Sequence, residues 1–200
     1  MGRRRSGFGR GRAARGGRER NWGLIIVAVA VVAVIGAFVA VATIDFRSGA
    51  ASGPPSGVED VDVGDAGQHS EGQIDYAQTP PAGGEHNPVW QNCGFYSEPV
   101  RNENAVHSLE HGAVWITYRP DLAQEQVDQI RQLASDNAYV LASPYPDLPS
   151  PVVASAWGKQ LKLDSADDSR LKQFVGAFEQ GPQTPEPGAV CTGGTGNPQS

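Results

Sequence analysis

The sequence predicts an α+β domain, a small mixed sheet with packed helices, that is preceded by one transmembrane helix. An uncharged apolar run, an acidic Gly/Ser-rich stretch after it, and strand-like and helix-like apolar patterns beyond residue 78 support this class. The predicted order is a basic cytoplasmic head (1–21), a transmembrane helix (22–44), a flexible acidic linker (45–77), an extracytoplasmic α+β domain (78–181) and a Pro/Gly-rich tail (182–200).

The apolar run contains no Asp, Glu, Lys or Arg between residues 21 and 44. At about 1.5 Å per residue, a helix over residues 24–44 reaches roughly 30 Å, the thickness of the hydrocarbon core. Eight arginines and Glu19 precede it, whereas residues 45–200 hold eight basic and 21 acidic residues, a formal charge of −13. The positive-inside rule therefore predicts a single-pass cell-membrane protein in contact with lipid, with its N-terminus cytoplasmic and its C-terminal domain extracytoplasmic.

Two alternatives concern this N-terminal part. Ala40-Val41-Ala42 fits the cleavage pattern of a signal peptide, but the apolar region of a signal peptide is shorter, about 7 to 15 residues. The arginines and glycines of the head would also suit contacts with nucleic-acid phosphates. Beside a membrane span they are better explained as a topology signal that touches anionic lipid, so no nucleic-acid partner is expected.

The only two cysteines, Cys93 and Cys191, lie in the outer part, where an oxidising compartment permits a disulfide. We expect them to pair, closing a loop of nearly a hundred residues that contributes up to about 4 to 5 kcal/mol on the chain-entropy interpretation. The alternative is a Cys93 thiolate that serves as a metal ligand while Cys191 stays free.

The first elements of the outer domain are a strand and a helix. Residues 113–118 are mostly β-branched and aromatic and are followed by Arg119-Pro120, which predicts a strand that ends there. Asp121 is expected to cap the helix that follows. The apolar residues of that helix recur with the 3.6-residue period at Ala123, Val127, Ile130 and Ala134.

Two strands and a final helix complete the domain. Residues 139–142 and 152–157 are expected strands, and the second continues past Gly158 into 160–163 as a hairpin or bulged pair. Ser165 or Asp164 is expected to cap the last helix, whose apolar face is Leu171, Phe174, Val175 and Phe178. This order is compatible with part of a thioredoxin-like fold, but no Cys-x-x-Cys is present for dithiol chemistry.

A cluster of histidines supplies the candidate site. A short helix over residues 103–111 would place His107 and His111 on one face, with Glu110 three residues after His107. With His86 they provide three imidazoles for a transition metal, zinc or copper, and Glu110 is the fourth ligand or a partner of a ligand. In the alternative interpretation, these side chains only hydrogen-bond and fix a loop. His69, within the linker, is expected to be solvated.

The string His107-Ser-Leu-Glu110-His111 also matches H-x-x-E-H, the motif of inverted zincins, in which the glutamate acts as general base. Gly112 follows at once and is expected to end the helix, and the third acidic ligand would have to be a residue such as Glu179. A type-one copper centre is not expected, because Met1 is the only methionine.

Three segments resemble a known family: residues 80–86 (PPAGGEH), residues 92–96 (NCGFY), and residues 106–113 (VHSLEHGA) leading to Tyr118-Arg-Pro120. They are similar to the bacterial family with domain of unknown function 3105 over about residues 78–180, and HSLEHG is the most specific segment. The resemblance implies an N-terminal membrane helix with an outer domain and assigns no activity. Gly83 stands where the family commonly has Ser, while the metal-ligand candidates stand at matching positions.

These observations together predict a membrane-anchored protein whose outer domain binds a transition metal and is more consistent with a binding protein than with an enzyme. Two alternatives stay open. One is a non-catalytic cell-envelope module that contacts a partner protein or wall polymer through its acidic domain. The other is a zinc-dependent hydrolase in which Glu110 is the base.

Overall fold

A computed structural model of the chain describes Val31 and residues 53–199. The basic head, nearly all of the expected 22–44 helix and the first part of the linker lie outside the described residues, so the membrane span stays a prediction. Within the described residues, no helix is both long and apolar enough to cross a bilayer.

The described residues form a mixed α+β fold, a six-stranded sheet with three helices, as predicted. The strands are β1 (Glu59–Asp60), β2 (Gly94–Phe95), β3 (Val114–Tyr118), β4 (Val140–Pro144), β5 (Val152–Ala156) and β6 (Lys159–Leu163). The helices are α1 (Asn102–Glu110), α2 (Gln124–Asp136) and α3 (Ser169–Phe178). The strand order is β1-β6-β5-β3-β4-β2, in which β4 runs parallel to β3 and β2, and β5 antiparallel to β3 and β6.

The connections follow from the sequence. Helix α2 joins the parallel strands β3 and β4, because parallel neighbours need a long crossover. Strands β5 and β6 form a hairpin rather than a bulged pair, since the register runs without interruption to Ala156 opposite Lys159. The two-residue turn contains Gly158 at φ 65°, a conformation that glycine adopts without steric cost.

Both faces of the sheet are covered. One face packs against α2 and α3 through an apolar cluster in which Ile130 and Phe174 are fully buried. The other face packs against α1 through a second cluster that contains Leu109, Trp115 and the cysteine pair. The side of α1 that faces away from the sheet is also buried, because loops and chain ends cover it.

Two expectations about helix caps need correction. Helix α2 begins after Ala123 and has no side-chain cap, so Asp121 does not cap it. Helix α3 is capped by Asp168, whose carboxylate accepts from the Arg170 N–H, rather than by Ser165 or Asp164. Turn residues separate these candidates from the first helical residue. Residue spacing alone does not identify which polar side chain reaches the unpaired N–H groups at the start of a helix.

The described part of the expected flexible linker is bonded to the domain. Strand β1 pairs with β6, and the Ser70 N–H donates to the His86 carbonyl at 2.8 Å. The His86 N–H in turn donates to the Gln68 carbonyl at 2.9 Å. Such pairing uses backbone groups and needs no apolar periodicity, which is why the composition of this stretch did not reveal it. We call residues 67–74 the strap.

The tail is also attached. Cys93 and Cys191 form a disulfide, with their Cα atoms 5.4 Å apart, as expected. Further along, the Thr195 N–H donates to the Trp90 carbonyl at 2.9 Å, and the Gln199 N–H donates to the Phe95 carbonyl at 2.7 Å. The tail therefore follows the edge of the sheet beside β2 and has backbone anchors in addition to the disulfide.

Candidate metal centre

Helix α1 carries two of the candidate ligands, His107 and Glu110, on the side away from its apolar core residues. Gly112, at φ 91°, ends the helix with paired bonds from its own N–H to the Leu109 carbonyl and from the Ala113 N–H to the Ser108 carbonyl, both 2.9 Å. Strand β3 begins two residues later. The ligand-bearing turn is thus joined directly to the central sheet.

Three buried histidines are held in the same way. Each Nδ1 lies 2.6 to 2.7 Å from a backbone carbonyl: that of Gly84 for His86, of Asn87 for His107 and of Val190 for His111. A carbonyl can only accept, so each Nδ1 carries a proton, and in a neutral ring the Nε2 keeps a lone pair. Metal-binding histidines are typically oriented by a hydrogen bond of this kind from the second ring nitrogen.

The closest contact in the site joins two acceptors. His86 Nε2 lies 3.0 Å from Glu110 Oε2, and the two side chains are 0% and 1% exposed. Neither atom receives a hydrogen bond from the described residues. The other oxygen of Glu110 accepts from the Gly67 N–H at 2.6 Å. Buried acceptors that face each other are costly, and a cation held between them would satisfy both.

His69 completes the group. Donor atoms from His69, His86, His107 and Glu110 all lie within 4.8 Å of one another. His69 is exposed and the other three are buried. The donors of a tetrahedral site with bonds of about 2.0 to 2.1 Å lie about 3.4 Å apart, so the widest pairs must contract when a metal binds.

His111 lies outside this group. Its ring centroid is 4.5 Å from that of His107, but its Nε2 faces Glu186 Oε2 at 3.5 Å. Of the predicted set, the structure therefore brings together His86, His107 and Glu110, and it adds His69 rather than His111. The His111 backbone continues the helix, with its N–H bonded to the His107 carbonyl, but its Nδ1 is held by the Val190 carbonyl of the tail.

The hydrolase arrangement differs from this geometry. Glu179, the suggested third ligand, accepts from the Tyr139 N–H at 3.0 Å and is not part of the converging group. One oxygen of Glu110 accepts from the Gly67 N–H, and the other faces His86 without a hydrogen bond. The helix also stops before Gly112, as the sequence indicated. Glu110 therefore lies buried between Gly67 and His86 and away from Glu179.

The surroundings favour the neutral imidazole of His107. Burial lowers the pKa of His107 to about 4, and although its bond to the Asn87 carbonyl acts in the opposite direction, the nearby His111 and His86 lower the pKa further. Indole rings shield the group, since Trp157 meets the His86 ring edge-on at 5.9 Å and Trp90 lies 5.7 Å from the His107 ring. At neutral pH His107 therefore offers a lone pair within a partly dry site.

The donor set limits which metals fit. It consists of three imidazole nitrogens and one carboxylate oxygen. Both cysteines form the disulfide, and the single methionine is Met1. Imidazole with carboxylate suits zinc and copper(II), whereas copper(I) prefers sulfur ligands.

Sequence reasoning missed His69 because it lies 17 residues before His86 in a stretch without apolar periodicity. The signal for it in the sequence was that the chain has four histidines and the other three were already candidate ligands. Comparison with protein families finds that the family described as "Protein of unknown function (DUF3105)" matches residues 68–193, so the match includes His69. No curated protein and no solved structure matches the chain.

Proposed function

We propose a metal-binding function for this chain, which belongs to the DUF3105 family of proteins of unknown function. The described domain holds one divalent transition metal, zinc or copper(II), through His69, His86, His107 and Glu110. The observation that carries this proposal is the 3.0 Å approach of His86 Nε2 to Glu110 Oε2, two buried acceptors with no donor to satisfy them.

The second contacts of the ligands support the same conclusion. Nδ1 bonds to backbone carbonyls fix His86 and His107, and the Gly67 N–H fixes Glu110. A buried polar cluster that only stabilised the fold would gain most from donors paired with acceptors. This cluster instead directs lone pairs inwards, which is the arrangement that a cation requires.

We further propose that the protein is anchored in the cell membrane by a helix over residues 22–44 and that this domain is extracytoplasmic. The disulfide between Cys93 and Cys191 supports an oxidising compartment. A partner protein in the cell envelope, contacted through the acidic domain, stays an alternative prediction. Crosslinking in cells would favour it if a variant lacking His86, His107 and His111 retained the same partner.

Metal analysis of the full-length protein in detergent tests the proposal. We expect about one zinc or copper ion per chain, and His107→Ala should weaken binding by more than about a hundredfold. His111→Ala is the matched control, since it removes a neighbouring imidazole that lies outside the converging group, and it should change the affinity by less than about tenfold. If the wild-type protein takes up neither metal, or if His107→Ala has no effect, the proposal fails.

A further inference from the structure

The four donors of the proposed site are held very differently. The side chains of His86 and Glu110 are 0% and 1% exposed, His107 is 6% exposed, and each of the three has a second contact that fixes its orientation. His69 is exposed, and none of the residues that the structure describes hydrogen-bonds to its ring. Three ligands are therefore fixed by hydrogen bonds, whereas the His69 ring meets the group only through ring contacts, 4.7 Å from the centroid of His86 and 5.2 Å from that of His107.

The strap would stay in place if the His69 ring turned away. Its backbone is attached on both sides of the ligand, by the Gly67 N–H to Glu110 and by the Ser70 N–H to the His86 carbonyl. Further along, the Ile74 N–H donates to Glu103 Oε1 at 3.0 Å. Rotation of the His69 side chain alone would thus open one coordination position towards solvent, with no change in the fold.

The other sides of the group are closed. His107 and Glu110 project from α1, whose opposite side packs on the sheet, and the ring of Trp157 lies against His86. Trp90 lies beside His107. An incoming ligand can therefore approach the metal most directly where the exposed imidazole lies.

We propose that His69 is an exchangeable ligand and that an imidazole from outside the protein can take its place on the metal. This inference rests on the proposed metal site. In the exchange step, the metal–Nε2 bond to His69 breaks as an incoming imidazole bonds to the metal. One neutral imidazole replaces another, so neither the charge of the site nor the oxidation state of the metal changes. In complete transfer to a histidine peptide, further imidazoles replace His107 and His86, and the last one replaces the Glu110 carboxylate, which stays on the protein as an anion.

The test follows copper transfer from copper(II)-loaded, full-length protein to a fluorescent hexahistidine peptide, whose emission is quenched when it binds copper. We expect the wild-type transfer rate to rise in proportion to peptide concentration, because the incoming imidazole takes part in the slow step. His69→Ala, which removes one of the four ligands, should bind copper more weakly than wild type. Once loaded at saturating copper, it should transfer the metal about tenfold faster, which corresponds to about 1.4 kcal/mol in the barrier.

Two further measurements separate exchange from a general loosening of the site. Free imidazole should slow transfer from His69→Ala, because it occupies the vacated position. His111→Ala, the matched neighbour, should transfer at the wild-type rate. A wild-type rate independent of peptide concentration would overturn the inference, as would a His69→Ala variant that holds no copper or transfers at the wild-type rate. If the wild-type protein binds no metal at all, the proposed function fails together with this inference.

Discussion

On the face of the sheet covered by α2 and α3, the inward residues of β3, β4 and β5 belong to one apolar cluster. On the face beneath α1, the same strands contribute Trp115 together with Thr117, Ser143 and Ser155, all buried. Strand alternation sends successive side chains to opposite faces, so each strand is apolar on one side and mixed on the other. The face under α2 and α3 is stabilised by apolar packing alone, whereas the face under α1 also holds buried polar side chains.

The buried polar residues make the contrast sharper. Nine of them fall between residues 86 and 111, on and around α1. Most have direct partners: for example, the Ser108 hydroxyl donates to the Gln91 carbonyl at 2.7 Å. The facing atoms of His86 and Glu110 are exceptions. Unlike the apolar face, the polar face therefore contains two facing side chains, His86 and Glu110, whose hydrogen bonding the described protein atoms do not complete.

The largest expected effect lies on the apolar face. Phe174 is fully buried and packs against Phe178, so Phe174→Ala should lower the free energy of unfolding by about 3 to 5 kcal/mol. Because the change lies across the sheet from the metal site, metal affinity should stay within about twofold of wild type. Urea unfolding and metal titration of the same samples measure both quantities. A large loss of metal affinity in Phe174→Ala would show that the two faces of the sheet are energetically coupled.

The second effect is a pH dependence on the polar face. The pKa of His107 falls from its ordinary value of 6.5 to about 4 in the folded protein, chiefly through burial. The unfolded chain therefore binds a proton first, so stability is full above about pH 6.5 and declines as the pH falls towards 4, by up to about 3 kcal/mol. Metal-free protein unfolded in urea across this range measures the decline. His107→Gln should flatten the curve, and an unchanged curve would contradict this assignment.

A smaller effect concerns Glu110 in the metal-free protein. In Glu110→Gln, the amide NH2 group can donate to His86 Nε2 while the amide oxygen still accepts from the Gly67 N–H. The variant should therefore unfold with a free energy about 1 kcal/mol higher than wild type at pH 8. It should also lose the stabilisation that added zinc gives the wild type. A variant less stable than metal-free wild type would show that the two facing atoms are not in conflict.

The smallest expected effect lies at the edge of the sheet, away from both faces. Lys162 on β6 lies 2.8 Å from Glu59 on β1, and both side chains are substantially exposed. Lys162→Ala should lower the free energy of unfolding by less than about 1 kcal/mol, because solvent screens exposed ion pairs. Metal affinity should not change. A larger loss would show that β1 contributes more to stability than its two residues indicate.

The strands and helices of the central fold could be predicted where side-chain periodicity is strong. The expected strand over residues 113–118 is β3, and the aromatic face of the last helix is buried in α3 as expected. The two-residue strands β1 and β2 were not predicted, because a pair of residues has no measurable period.

The site was predicted only in part, for a related reason. Helical spacing relates His107 to Glu110, and both lie in the converging group. The same spacing suggested His111, and its ring does lie beside that of His107, but the Val190 carbonyl and Glu186 of the tail hold its two nitrogens outside the group. His69 reaches the group by backbone pairing with His86, an interaction between distant segments that no local pattern encodes.

The disulfide has a consequence for the covalent topology of the site. It closes a ring from Cys93 to Cys191, and the chain before Cys93 is an arm attached at one point. His107 and Glu110 belong to the ring, whereas His69 and His86 belong to the arm. A metal bound by all four would join the arm to the ring a second time. A single cut between residues 87 and 92 would then leave two pieces that only the metal and the packing of the fold keep together.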